Sequence, residues 1–326
     1  MHRLCCHITI GTLDLNFAHE IRVESGWETG TDTASITLPR RLVIMQGNLV
    51  KEELSAIVAP LFKRGQKVII RFGYETPKTV FEGYVTRVHT KTPVVIECED
   101  EMWKLKQKSY SRTWPQFKIE TLIPDLLAGT GVKFQLTAKT PQGLGQLRIK
   151  GKPNVVEVLD LLRDQYNIQS FFRDGTLYVG EPYVPSLRKE VDVAFNKHVV
   201  NNGLIYRNKE DSPVTVEVTT TVKHKKSTAV AKGSDADGSI VRINRFDLQP
   251  SQLQAEADRL LPFFKYDGYE GSMTLFGEPF VKHGYVVNLF DPEIPDNRGK
   301  YYVDTVRHEF GMNGVRQIVA LGPLVQ

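Results

Sequence analysis

Few residues in this 326-residue chain stand at spacings that could do chemistry. His19-Glu20 and His308-Glu309 set an imidazole beside a carboxylate. A helical zinc site would need a second histidine three residues further on, and neither pair has one. His308 is expected on a strand, in a structural role. Gly151-Lys152 looks like the end of a phosphate loop, but Pro153 follows where a hydroxyl residue is required. Gly129, Gly131, Gly143 and Gly145 read as turn glycines, since no dinucleotide fingerprint surrounds them. The stretch D235-A-D-G238 starts like a calcium loop but lacks a third oxygen ligand and the closing glutamate, so it reads as a solvated loop. No nucleophile elbow of the G-x-S-x-G type occurs. Glu97 and Glu99 share one face of a strand and read as surface carboxylates. The run K223-H-K-K226 could meet DNA or an acidic partner, and reads more simply as a solvated charge run. No catalytic, cofactor-binding or metal-binding residue is assigned on these grounds.

The elements that carry these residues belong to an ordinary globular composition. Hydrophobic residues make up 41% and charged residues 25%, and the net charge is +4. That charge tolerates a nearby polyanion without marking a dedicated nucleic-acid binder. No run of about 18 apolar residues is present, so no membrane span is expected. The start of the chain reads as a first strand and not as a signal peptide. Cys5, Cys6 and Cys98 suggest no disulfide framework, and are expected to be reduced thiols in a protein folded in the cytoplasm.

Periodicity divides the chain into three parts. Residues 1–106 read as strands at 7–10, 13–17, 20–24, 33–38, 67–72, 79–89 and 94–98, with an amphipathic helix over 50–62. Residues 107–190 form a small α+β module. It has helices around Ile119–Leu127, where Pro124 should kink or restart the helix, and from Val155, opened by Pro153 and Asn154. A hairpin turning at Asp174-Gly175 follows. Residues 191–326 return to strands, with an exposed loop over 223–239, a helix from Pro250 and a punctuated hairpin at Gly271–Gly284.

The outer two parts share a pattern. Gly65 precedes the strand Lys67–Phe72, and Gly284 precedes Tyr285–Phe290. Each is followed by a strand with Tyr-Val-x-x-Val, at Tyr84, Val85 and Val88 and at Tyr302, Val303 and Val306. Nineteen residues separate Gly65 from Tyr84, and eighteen separate Gly284 from Tyr302. This predicts a duplication: two β-barrels flanking the helix-hairpin module, in a mainly β protein.

At these residues the chain resembles the baseplate hub proteins of phage tails and contractile injection machines, including late-control-type tail proteins and the hub portion of type VI secretion spike proteins. The resemblance rests on A255-E-A-D-R-L-L261, the run Gly271 to Pro279, H283-G-Y-V-V287, G299-K-Y-Y-V-D-T-V-R-H-E-F-G311 and V315-R-Q-I-V-A-L-G322. S25-G-W27, Ile149–Gly151 and L177-Y-V-G180 support it. It implies two tail-tube-like barrels per subunit and a homotrimer with a pseudo-sixfold ring. One face of the ring would meet the hexameric tail tube protein. The other would meet a threefold spike, expected as a separate chain because this one ends just after its last strand. It further implies a lumen through which DNA or an effector would pass, assembly in the bacterial cytoplasm and a final place in the tail baseplate, of a phage or prophage or of a related machine.

Two alternatives stand beside this structural, non-enzymatic reading. One is a tail-tip peptidoglycan hydrolase using Glu97, Glu99 or Asp174. The other is a receptor- or carbohydrate-binding protein that presents Trp103, Tyr110, Trp114 and Phe117 as an aromatic platform.

Overall fold

The structure, a computed structural model, describes all residues except 1–2, 44–54, 58, 139–143, 212, 223–224, 233–237, 294–297 and 326. The protein is mainly β. In its first barrel the strands β1 (Leu4–Ile10), β2 (Leu13–Leu15), β3 (Glu20–Gly26) and β4 (Thr33–Leu38) alternate apolar and polar residues. Ile8, Ile21, Val23, Ile36 and Leu38 therefore fall on one face and are fully buried. A short hairpin pairs β5 (Arg41–Val43) with β6 (Ser55–Ile57), and a 3-10 turn covers Ala59–Leu61. The helix expected over 50–62 is thus corrected at its described residues; residues 50–54 and 58 lie outside them. In a helix, Pro60 could not supply the N–H that the Ala56 carbonyl needs. In the hairpin Ala56 faces Leu42 instead. The strands β7 (Lys67–Tyr74), β8 (Lys78–His89) and β9 (Val94–Glu99) complete the order β3-β4-β9-β8-β7-β1-β2.

The middle part starts with α1 (Met102–Leu105), β10 (Thr113–Trp114) and α2 (Ile119–Leu127), then β11 (Lys133–Leu136) and β12 (Leu147–Arg148). Helix α2 carries Pro124 inside it. Helix α3 (Val155–Tyr166) begins at a capping box: the Asn154 side chain accepts from the Glu157 N–H, and the Glu157 carboxylate accepts from the Asn154 N–H. The hairpin β13 (Gln169–Arg173) and β14 (Thr176–Gly180) turns at Asp174 and Gly175, both with left-handed φ (+49° and +76°). Strand β11 adds to it in parallel. Leu122, Leu126, Val158, Leu159, Leu162 and Leu177 meet in one core.

Beyond a turn at Pro185–Leu187 come β15 (Glu190–Ala194), α4 (Phe195–His198), β16 (Val199–Asn202) and β17 (Ile205–Arg207). The strands β18 (Val214–Val222), β19 (Lys225–Lys232) and β20 (Ser239–Phe246) form a separate sheet, on which α5 (Leu253–Phe264) lies. Strand β19 corrects the loop expected over 223–239. Its inner face carries only small residues, Ala229 and Ala231, because α5 packs closely there, so no large apolar residue marks it. The last strands are β21 (Gly268–Glu270), β22 (Ser272–Phe276), β23 (Val286–Phe290), β24 (Gly299–Gly311) and β25 (Gly314–Leu324). They form a second barrel in the order β16-β22-β25-β24-β23-β15. The segment Gly271–Gly284 is therefore not a hairpin. Strand β22 pairs with β16 and β25, β23 pairs with β15 and β24, and the segment crosses between them.

The duplication holds at the level of register. Lys67 faces Tyr84, and Val286 faces Tyr302. Each ladder next skips one residue against the following strand, Thr86 in β8 and Asp304 in β24. Ser35-Ile36-Thr37-Leu38 lies on β9 as Ser272-Met273-Thr274-Leu275 lies on β25. Both matched tyrosines stack on an aromatic ring: Tyr84 on Trp103 at 5.2 Å between centroids, and Tyr302 on Tyr183 at 4.2 Å.

Candidate assembly interface

The two barrels share one ladder. Strand β3 runs antiparallel to the second half of β24, with Gly26 opposite Thr305 and Ile21 opposite Phe310. Arg307 donates to the Glu24 carboxylate at 2.7 Å across this seam, and both side chains are about half exposed. Glycine is required at position 26: a Cβ there would stand 2.6 Å from the Thr305 methyl.

Beside the seam, the carboxylate of Asp304 gathers all three parts of the chain. It accepts from the Trp27 indole N–H at 3.1 Å and from the Tyr183 hydroxyl at 2.8 Å. Trp27 follows β3 and Tyr183 follows β14. The space for this carboxylate exists because residue 322 is glycine; a Cβ there would lie 2.2 Å from Asp304 Oδ1. Burial pushes the Asp304 carboxyl up to about 6, against the bonds from Trp27 and Tyr183, and the charge of Glu28 pushes the same way as burial.

A second polar group lies where Ser25, Asp32, Asp100, Arg173, Lys282 and His283 border a cavity of about 110 Å³. Gly26 N–H donates to Asp32 at 3.3 Å, and Asp32 N–H donates to Asp100 at 3.2 Å. Burial raises both carboxyls, Asp32 to about 7 despite the charges of Arg173 and Lys282. Arg173 donates to the His283 carbonyl, which ties the β13–β14 hairpin to the second barrel. Ser25 Oγ and His283 Nδ1 are 2.8 Å apart. That is the spacing of a nucleophile and its base, but the other ring nitrogen of His283 has no hydrogen-bond partner among the described residues, and His283 is 2% exposed. Among the described residues no third group hydrogen-bonds the imidazole, as a nucleophilic triad requires. Burial, together with the charges of Arg173 and Lys282, holds His283 well below the usual histidine range, so it is neutral at pH 7.

The residues singled out by sequence are dispersed. His308 lies on β24, buried, with Nε2–H donating to the Val281 carbonyl at 3.0 Å; burial lowers it to about 4. His19 is exposed ahead of β3. Glu97 meets His89 in a hydrogen bond at 2.8 Å, and Glu99 meets Lys106 in an ion pair at 2.7 Å, so the two carboxylates have separate partners. Asp174 lies at a hairpin tip, 3.9 Å from Lys282. The four aromatics do not form a platform. Phe117 is fully buried against Tyr166, Tyr110 is buried, Trp114 packs on that core and Trp103 stacks on the first barrel. Asp235 and Asp237, Lys223 and His224 lie outside the described residues; Lys225 and Lys226 are exposed on β19. Among the described residues, no group of three or more His, Cys, Asp or Glu side chains is placed to hold a metal ion, and no helix is long and apolar enough to cross a membrane.

Sequence reading assigned no role to Trp27, Asp304 or Tyr183, although Trp27 and Asp304 lie within segments of the family resemblance and Tyr183 just after one.

No family model matches the sequence, and no curated protein does. Solved structures match over nearly the whole chain. A tail protein from Neisseria meningitidis is 13% identical, with a TM-score of 0.67 over 98% of this chain and 96% of that one. A 43 kDa prophage tail protein from Shewanella oneidensis is 12% identical, with a TM-score of 0.63 over 98% and 97%. An Escherichia coli component of the type VI secretion system, itself similar in structure to the T4 tail proteins gp27 and gp5, is 11% identical, with a TM-score of 0.61 over 98% and 77%. From end to end, the chain carries the fold of these phage tail and type VI secretion proteins.

Proposed function

We propose that the protein is the structural hub of a phage-type baseplate. Three copies form a pseudo-sixfold ring that joins a hexameric tail tube to a threefold spike. The observation that carries this reading is the register-matched duplication within one chain. A threefold assembly can meet a sixfold partner only if each protomer offers its contact surface twice. The division into residues 1–106, 107–190 and 191–326 belongs to the same proposal. The two outer parts act as ring segments, the middle one braces them through Tyr183 and Arg173, and the lumen would pass DNA or an effector. No catalytic step is assigned.

Light scattering at high protein concentration tests the reading, with particle images of the same sample. A trimeric mass and a ring with six similar densities are expected. A strict monomer at every concentration, alone and with the tube protein, would overturn it.

A further inference from the structure

The seam between β3 and β24 is made once in each chain, yet the parts of a second seam are present and open. The registers allow the barrels to be matched residue by residue. Glu24 faces Thr33 as Ile205 faces Glu270, and Ile21 faces Ile36 as Asn202 faces Met273. The broken strand β16–β17 is therefore the second barrel's version of β3. Strand β3 uses both of its edges, pairing with β4 and with β24. Strands β16 and β17 use one edge, on β22 and β21, and no described strand covers the other.

The receiving edge shows the same asymmetry. On β24, β23 and its lead-in occupy the edge as far as Val303, and β3 takes it from Thr305 onward. On β8, β7 and its lead-in occupy the matching edge as far as Val85. Past the skipped Thr86, Arg87–His89 pair with β9 alone among the described strands.

We propose that β17 of one copy docks on the free end of β8 of the next, repeating between chains the ladder that β3 makes on β24 within a chain. This rests on the ring reading above and names the joint. Adding a strand to an open edge supplies main-chain hydrogen bonds for affinity and side-chain contacts for register. Such a head-to-tail contact closes into a ring when its rotation allows. The exposed apolar residues agree with it. Ile205 is 71% exposed and Tyr206 50% exposed, both on the open strand. In the matched register Tyr206 comes opposite Val88, as Ser25 comes opposite Val306. Arg207 comes opposite Arg87, but each guanidinium already faces a carboxylate of its own chain, Glu270 at 3.3 Å and Glu97 at 4.0 Å.

Paired Cα atoms in an antiparallel ladder lie within disulfide reach, so cysteine cross-linking tests the joint. Cys5 and Cys6 are first replaced by serine. A chain with Val88→Cys is then co-expressed with a chain carrying Tyr206→Cys, and the assembly is mildly oxidised. A disulfide-linked dimer is expected from the co-expressed pair and from neither variant alone; a chain carrying both changes should give a covalently closed trimer. Ile205→Lys, at a solvent-exposed position, should raise the concentration needed for assembly at least tenfold with an unchanged circular dichroism spectrum. Wild-type trimers by light scattering without the mixed cross-link would overturn the joint and leave the ring standing. A strict monomer would overturn both.

Discussion

Trp27 donates its indole N–H to the Asp304 carboxylate at 3.1 Å, and this bond crosses from the first barrel to the second. The carboxyl it reaches is pushed up to about 6 by burial. An unfolded chain loses that proton near pH 4, while the folded protein holds it until about pH 6. This group's contribution to stability is therefore complete below about pH 4 and is lost as pH rises through 6. Asp304→Asn keeps an acceptor for Trp27 and Tyr183 without the charge. The variant should gain on the order of 1–2 kcal/mol relative to wild type at pH 8, and no such gain at pH 4. Thermal unfolding of both proteins across that range measures the difference. A loss of stability in the Asn variant at pH 8 would refute the assignment.

Gly322 leaves the space that Asp304 fills, and a Cβ at position 322 would stand 2.2 Å from Oδ1. Gly322→Ala should therefore cost about 1–3 kcal/mol, as overpacking does. The cost should shrink in an Asp304→Ala background, because the clash needs both partners. A double-mutant cycle by urea denaturation reads this coupling, and additive effects would argue against the contact.

Arg245 and Glu256 form an ion pair at 2.7 Å with side chains only 1% and 5% exposed. Arg245 also donates to the Gln165 carbonyl at the end of α3, so the pair fastens β20 and α5 to the middle module. Glu256→Ala would leave a buried cation unmatched, and should destabilise by about 3–5 kcal/mol in chemical denaturation. Burial pushes the Glu256 carboxyl up, but the hydrogen bonds and charges of Arg259 and Arg245 outweigh it and leave the group below its ordinary value. The stabilisation from this group is thus present at neutral pH and lost as pH falls below about 4. An acid-unfolding midpoint unchanged by Glu256→Gln would speak against that contribution.

The capping box of α3 predicts a smaller effect. Asn154→Ala should cost about 1 kcal/mol, and Asn154→Asp should retain most of the stability, since both side chains accept from the Glu157 N–H. Melting curves followed at 222 nm would show the ordering; equal losses in the two variants would exclude the cap as the cause.

Local rules made some of this architecture readable. Asn154 announces a helix start, Asp174-Gly175 a tight turn, and the glycine-to-tyrosine spacing a repeated β unit, because each depends on neighbours in sequence. The full extent of the repeat is harder to see. Gly203 and Gly271 approach closely, so that a Cβ on Gly271 would lie 2.3 Å from the Gly203 carbonyl oxygen. Both strands break there, and the second copy of β3 and β4 reads as four short fragments. Thus Ser35–Leu38 and Ser272–Leu275 share a pattern that the surrounding periodicity hides. The polar groups around Arg173 come from distant stretches, where each charge reads as surface. Only the packing of a hairpin against two barrels turns them into a buried cluster.

The ladder between β3 and β24 also bears on how the chain folds as it is made. Glu24 and Arg307, which meet across it, are 283 residues apart in sequence. The strands of the N-terminal barrel are made first, but Phe310 and Val315, which pack into its core, and β24, which takes one flank of β3, come much later in the chain. Such long-range pairing is slow and leaves a bare edge in the meantime. During synthesis, that flank of β3 is thus an edge open to pairing with a neighbouring nascent chain until β24 arrives.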